Sequence, residues 1–276
     1  MRVAVLQMRS GIDPAANARA LVAGMKTAAA GGARILFTPE MTGLLDRDRT
    51  RAAASIREEE GDPVLAAACE AAAQLGLWVE LGSLALRPGG DEPRYVNRAF
   101  LIDDSGTIRA RYDKLHLFDV DLPTGESWRE SSAYRPGAGA VVADTPAGRL
   151  GLTICYDMRF PDLYRALSDA GAEILAVPAA FTVSTGRAHW HVLLRARAIE
   201  AGCFVVAAAQ VGRHEDGRDT YGHSLVVDPW GEVLLDLGEE PGLGFAEIDL
   251  DRLRDVRARI PALRHRRAIP AVEHVG

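Results

Sequence analysis

Three side chains capable of covalent chemistry stand at comparable places in this sequence: Glu40 in "FTPEMTG", Lys114 in "RYDKLHLFDVDLP" and Cys155 in "GLTICYDMRFPDLYR". Each follows a stretch that reads as a strand, and in open α/β sheets ligands collect at the carboxyl ends of strands, so the three can face one cleft. Cys155 falls where a strand turns into a helix. That position is expected to present the sulfur to solvent and, through the helix N-terminus, to favour thiolate. Pro161 and Asp162 suit the first turn of the helix. A free thiol is only a few per cent ionised at neutral pH, so a base close by would help, and Glu40 is the candidate. A protonated Lys114 would stabilise the oxyanion of a tetrahedral intermediate, with the backbone N–H of Tyr156 as second donor, at ~3 kcal/mol per donor. Taken singly, each residue has a plainer reading, because strand cysteines are usually small buried hydrophobes and loop charges are usually solvated. That plainer reading is adopted for Cys69 and Cys203.

The elements that must position these residues can be read from periodicity and punctuation. Val3 to Met8 is a strand, Pro14 to Ala30 a helix closed by Gly31-Gly32, and Ile35 to Thr38 a strand that Pro39 ends, leaving Glu40 at its mouth. A helix from Pro63 to Gln74, a strand from Trp78 to Leu86, the loop "RPGGDEPRY" and the hairpin "NRAFLIDDSGTIRARYDK" follow. From about residue 140 a similar order recurs: strand "RLGLTICYD", helix from Pro161, strand "EILAVPAAF", helix Ala188 to Ala201, strand "CFVVAAAQ" and hairpin "SLVVDPWGEVLLDL". Two similar halves predict two mixed sheets packed face to face with helices outside, a four-layer αββα sandwich forming a single domain over residues 1–276. Residues 119–139, rich in Pro, Gly and Ser, join the halves as a long loop of the kind that is often functional. A basic arm from about 252, helical and then irregular, suits packing on another subunit.

Composition bounds the partners. Of 276 residues, 48% are hydrophobic and 25% charged, which gives a chain able to bury a substantial core. A net charge of −6 gives no reason to expect nucleic acid or an anionic membrane, so small molecules are the expected ligands. The early apolar stretch is too short for a signal-peptide core and no segment approaches ~20 uninterrupted apolar residues, so a cytoplasmic protein is expected. Cys69, Cys155 and Cys203 are odd in number and lack any C-x-x-C pair, which argues against a disulfide framework. His189 and His191 diverge on a helix, and Asp119 with Asp121 make a poor divalent-cation site and read as a solvated loop. No glycine pattern supports a nucleotide cradle. Tyr221 and His223 read as the start of the next strand.

The three motifs together, in their order and spacing, resemble those of the nitrilase superfamily of carbon–nitrogen hydrolases over about residues 1–260. The resemblance implies an αββα sandwich, a triad of Glu40, Lys114 and Cys155, and hydrolysis of a linear amide to acid and ammonia through a cysteine thioester, with no metal or organic cofactor. Glu130 in "WRESSAYRPG" matches a second family glutamate that supports the lysine and positions substrate; the alternative is a loop-surface carboxylate. "HLFDVDLP", "CYDMRFP" and "TGRAHWHVLLRARAIE" are similar to the Nit-type branch, which includes omega-amidases and deaminated glutathione amidases. Its substrates carry a carboxylate away from the scissile amide, which Arg159 could clamp with two parallel hydrogen bonds; alternatively Arg159 pairs with Asp157 or Asp162. His191 stands where the family usually has an acidic residue and Ala201 where it often has asparagine, both on a helix that borders the family's pocket and subunit interface. A homodimer is implied. The same triad would serve a nitrile hydrolase or an N-carbamoyl or β-ureido amide hydrolase. A catalytically silent binding protein is the alternative outside enzymes, and a Cys155–His189 protease would need a histidine base where the motif offers glutamate.

Overall fold

The computed structural model describes residues 1–122, 125 and 127–275; Pro123 at the end of the lysine motif, Thr124, Glu126 and Gly276 lie outside the described residues. Two mixed sheets dominate. In the first, the strands run Gly242–Glu247, Arg2–Gln7, Ile35–Phe37, Trp78–Arg87, Val96–Ile102 and Ile108–Asp113, with the short Arg57–Glu58 strand also on Trp78–Arg87. In the second they run Val233–Asp236, Leu225–Val227, Phe204–Ala207, Ile174–Ala176, Gly148–Leu152 and Val141–Thr145.

Both sheets have the same plan: three parallel strands in sequence order, an antiparallel hairpin beyond the third, and one antiparallel strand outside the first. The two-halves expectation is therefore met. Alternation along the strands assigns their faces, because successive side chains point to opposite sides of a sheet. Val3, Val5, Ile35 and Phe37 share a buried cluster with Leu150, Leu152 and Ile174 of the opposing sheet, while Ala4, Leu6 and Leu36 pack on Leu21, Met25 and Val64 of the covering helices. Leu163, Leu167, Trp190 and Leu194 bring the Pro161–Asp169 and Val183–Ala201 helices into the core on the second sheet's side. The result is the αββα sandwich. Strands covered on both faces read as continuous apolar runs, which is why "ILF" is buried at every position.

Asp-Pro pairs start two of the helices. Asp13 accepts the N–H of Ala15 and Asp62 accepts those of Val64 and Leu65, while Pro14 and Pro63 occupy first-turn positions that need no donor.

Several boundaries differ from expectation. The strand "RLGLTICYD" ends at Leu152, and Cys155–Arg159 form a 3₁₀ turn before the Pro161–Asp169 helix. The helix expected from Ala188 starts at Val183, and Tyr221 passes so close over its first turns that a Cβ on Gly186 would lie 2.3 Å from the ring. The connection 119–139 carries a ribbon of Asp119–Asp121 paired with Ser127–Arg129. Within it Asp119 accepts from Ser131, and Asp121 from Ser127 and Arg129, so neither is merely a solvated charge. Tyr221 ends a short strand paired with Val211–Arg213 instead of starting the next one, and His223 follows with φ 53°. Cys203 is buried as expected, with burial pushing its thiol up to about 11, whereas Cys69 is only half-buried. The C-terminal arm is helical over Leu250–Arg259, and Arg266 then ties it to Ser168 and Asp169 of its own chain.

Candidate active site

Glu40, Lys114, Cys155 and Glu130 meet in one cavity of about 500 Å³. Each of the first three sits just past a strand end: Ile35–Phe37, Ile108–Asp113 and Gly148–Leu152 respectively. They are nearly closed off from solvent, with exposures of 4% for Glu40, 2% for Lys114 and 7% for Cys155. Cys155 therefore lies at the floor of a pocket and is not presented to solvent as the sequence suggested. The elbow turns inward between the two sheets.

Backbone geometry fixes the elbow and the Glu40 loop. Cys155 has φ 50° and Met41, beside Glu40, has φ 56°; both are left-handed conformations that cost a side-chain-bearing residue energy and recur at functional sites. Neighbouring bonds hold them there. The Cys155 N–H donates to Pro178 O at 2.8 Å, and the Met41 N–H donates to Ser83 Oγ at 2.9 Å. Gln210 Nε2 donates to the Glu40 carbonyl at 3.0 Å. Gly82 allows the close approach behind this loop, since a Cβ there would lie 2.0 Å from Thr38 O and 2.6 Å from Pro39 O.

Below the elbow lies Asp157, fully buried. Its Oδ2 accepts from the Ile154 N–H at 2.9 Å and the Tyr112 hydroxyl at 2.7 Å; its Oδ1 accepts from the His116 N–H at 3.0 Å and lies 2.7 Å from His116 Nδ1. His116 in turn stacks on Phe160 at 3.6 Å. The Asp157 carboxylate is thus engaged by Ile154, next to Cys155, and by Tyr112 and His116, two positions either side of Lys114, and does not pair with Arg159.

The charged groups are tightly interlocked. Lys114 Nζ donates to Glu40 Oε1 at 2.9 Å and to Glu130 Oε2 at 2.9 Å. Asn97 Nδ2 bridges the same two carboxylates at 2.9 and 3.3 Å, and the Ala180 N–H donates to Glu40 Oε2 at 2.9 Å. Glu130 Oε2 also takes the Phe118 N–H at 2.6 Å, which excludes the loop-surface reading of that residue. Burial by itself would raise the Glu40 carboxyl, but the Lys114 charge and the hydrogen bonds from Lys114, Cys155 and Asn97 outweigh it and hold it below its ordinary value. Burial opposes the charge on Lys114, yet the flanking Glu130 and Glu40 raise it well above the usual lysine range. For Cys155, burial and the adjacent Glu40 charge push the thiol well up, with Lys114 opposing. The expected thiolate at a helix N-terminus is therefore corrected: the helix starts six residues later at Pro161, and desolvation beside a carboxylate keeps the proton on sulfur. At neutral pH the site holds a neutral thiol, an ionised glutamate and a charged lysine. Such a set can take a proton from sulfur as it attacks and can hold a developing oxyanion.

Tyr156 lines the cavity with Phe118, Trp128, Tyr134 and Phe181, and Arg47, Arg49 and Arg218 stand among its lining residues. Arg159 is not among them. Its guanidinium lies 3.3 Å from His189 Nδ1 and over the Tyr156 and Phe181 rings at 5.9 and 5.4 Å. Asn97, Tyr112 and His116 were not singled out from sequence, and Asp157 was read only as a partner for Arg159. Asn97 left one signal, a polar residue inside the apolar strand "VNRAFLI"; the buried role of Asp157 left none.

The carbon-nitrogen hydrolase family model matches residues 2–258. The chain is 44% identical over 268 residues to the deaminated glutathione amidase of Homo sapiens, covering 96% of this chain and 82% of that protein. Among solved structures, the C. elegans NitFhit protein has a TM-score of 0.89 at 39% identity, covering 96% of this chain; the chain spans 65% of that longer protein. The amidase of Nesterenkonia sp. AN1, a nitrilase-superfamily enzyme solved with acrylamide added to its active-site cysteine, has a TM-score of 0.79 at 30% identity, covering 95% of this chain and 98% of that one. A family match over nearly the whole length, joined to one cavity holding a cysteine, a lysine and two glutamates, shows that this chain belongs to the carbon–nitrogen hydrolases of the nitrilase superfamily.

Proposed function

We propose that this carbon–nitrogen hydrolase is a cofactor-free amidase acting on a small carboxylate-bearing linear amide, an ω-amide of a 2-oxo acid or deaminated glutathione. The observation that carries the reading is the convergence of Glu40, Lys114 and Glu130 with Cys155 in one cavity. In this mechanism Cys155 Sγ attacks the amide carbon while Glu40 accepts the thiol proton, so no thiolate has to exist beforehand. Lys114 Nζ and the Tyr156 N–H, an early N–H of the 3₁₀ turn without an intrahelical acceptor, stabilise the oxyanion. Glu40 returns the proton to the leaving nitrogen; ammonia, or the amine of an N-substituted amide, departs and leaves a thioester. Glu40 then deprotonates the water that releases the acid. Glu130 keeps Lys114 charged and aimed.

A cavity of about 500 Å³ has room for a substrate of peptide size, and its aromatic walls suit an extended chain. Arg47, Arg49 and Arg218 of the lining are the first candidates to hold a distal carboxylate. Arg159 remains a candidate only for a substrate that reaches the Tyr156 and Phe181 rings it covers. We further propose one hydrolase domain with its arm from about 252, acting in the cytoplasm as a homodimer. No helix among the described residues is long and apolar enough to cross a membrane. Exposed Val192, Ile199 and Trp230 offer apolar surface to a second copy.

The test is ammonia and amine release from ω-amides, deaminated glutathione, N-carbamoyl amino acids and paired nitriles. The amides should turn over fastest, and Cys155→Ala should abolish turnover. Glu40→Gln should lower kcat at least ~10²-fold and trap an acyl mass adduct on Cys155. A wild-type rate in Glu40→Gln removes the base assignment, and failure of every substrate to acylate Cys155 favours the silent binding protein.

A further inference from the structure

Outside the catalytic cavity, His191 on the Val183–Ala201 helix, His223 after the Asp219–Tyr221 strand and Asp236 at the end of the last hairpin converge. His191 Nε2 lies 3.0 Å from Asp236 Oδ2, His223 Nδ1 lies 2.9 Å from Asp236 Oδ1, and all three donor atoms fall within 4.8 Å of one another. We infer that these three residues form a binding site for one divalent transition-metal ion of the zinc class, a site that ties the helix to the hairpin and takes no part in the hydrolysis.

The argument is geometric and chemical. In a tetrahedral zinc site with metal–ligand bonds of ~2.0–2.1 Å, neighbouring donor atoms stand about 3.3 Å apart. Measured to the one oxygen they share, Asp236 Oδ2, the histidine contacts are 3.0 and 3.2 Å, close to that spacing, and rotation of the two imidazoles, whose donor atoms fall within 4.8 Å, must close any excess between them. Two imidazoles and one carboxylate suit zinc and its neighbours in the first transition row; calcium and magnesium demand a shell of oxygens. The fourth position is left to water.

The scaffold around the donors is already fixed. The His223 N–H donates to Gly238 O at 2.7 Å, its carbonyl accepts Trp190 Nε1 at 2.7 Å, and Tyr221 stacks on its ring at 4.5 Å. Asp236 Oδ1 also accepts the Gly238 N–H at 2.9 Å. His223 Nε2, the ring nitrogen not bonded to Asp236, faces the exposed Glu239, whose Oε1 lies 3.8 Å away, too far for a hydrogen bond.

The experiment titrates chelator-treated protein with zinc chloride in a calorimeter, and with cobalt(II) by visible absorption. One ion per chain is expected. Affinity should fall at least ~10-fold in each of His191→Gln and His223→Ala, and remain unchanged in Cys155→Ala and His189→Ala. Zinc should raise the Tm of the wild type and not of His191→Gln. Absence of one-equivalent binding in the wild type overturns the proposal, as does binding that survives His191→Gln. Should His223→Ala fail to fold, His191→Gln, at a half-buried side chain, decides alone.

Discussion

Asp157→Asn should separate positioning of the nucleophile from its chemistry. The carboxylate accepts four contacts, two on each oxygen, in a fully buried place. An amide can turn its NH₂ toward either pair. Facing Oδ2's partners, it lets the Tyr112 hydroxyl rotate and accept, but orphans the Ile154 N–H. Facing the other side, it lets the neutral imidazole of His116 accept, but orphans the His116 N–H. Either way one buried backbone donor loses its acceptor, a cost of ~1.5–3 kcal/mol for a bond to a charged group. For a chain of this size that is a Tm lower by about 3–5 °C. Ile154 directly precedes Cys155, so a loosened elbow displaces Sγ, and ~1 Å of misplacement costs ~10²-fold in rate. The assay pairs thermal melts with kcat on the best ω-amide, using Tyr112→Phe as the milder control because it removes one donor and orphans none. Wild-type Tm and kcat in Asp157→Asn would refute the claim that this carboxylate holds the elbow.

The pH profile of kcat/KM should keep its acid limb below the ordinary carboxylate range, since Glu40 is lowered, and its alkaline limb above the ordinary thiol value; a limb near histidine's range in direct activity titration counts against the triad. Glu80 is buried with neither oxygen bonded among the described residues, and burial raises its carboxyl well above the ordinary value. A folded-state pKa above the unfolded one means its stability contribution is full at acid pH and lost as pH rises toward the folded value. Glu80→Met should therefore raise stability by ~1–3 kcal/mol at alkaline pH and flatten the pH dependence, with denaturant melts at two pH values as the check. Gly82→Ala should cost ~1–3 kcal/mol and most of the activity by displacing the backbone before Glu40, while Gly139→Ala, where a Cβ meets nothing within 4 Å, should leave both unchanged. Arg218→Lys should raise KM for amides with a distal carboxylate more than Arg159→Lys does; equal KM values for charged and neutral amides in Arg218→Lys would dismiss it as the clamp.

The duplicated strand–helix order was legible because fully covered strands, Asp-Pro caps and glycine stops are local signals, and the first sheet repeats in the second with the same polarity. Glu40 and Cys155 were legible because each sits just past an apolar strand, and Lys114 because it closes the return strand of a hairpin. What escaped depends on burial and on contacts between distant segments. The inward turn of the Cys155 elbow follows from a 3₁₀ turn that apolar patterning cannot distinguish from strand, and it reversed the expected effect on the thiol. Asp157 looked like a partner for Arg159 because they are neighbours in sequence, but its acceptors were already taken by Tyr112 and His116 from the other half. His191 stood out as a departure; its companions at 223 and 236 were invisible without the fold.

The seam between the two halves carries one more consequence. The carboxylate and ammonium come from the amino-terminal half, the sulfur and the Ala180 amide from the carboxy-terminal half, and the sheets must close on each other before the sulfur meets either charge. A nascent or partly opened chain thus carries a thiol with no base or oxyanion donor beside it, and the catalytic set exists only once assembly is complete.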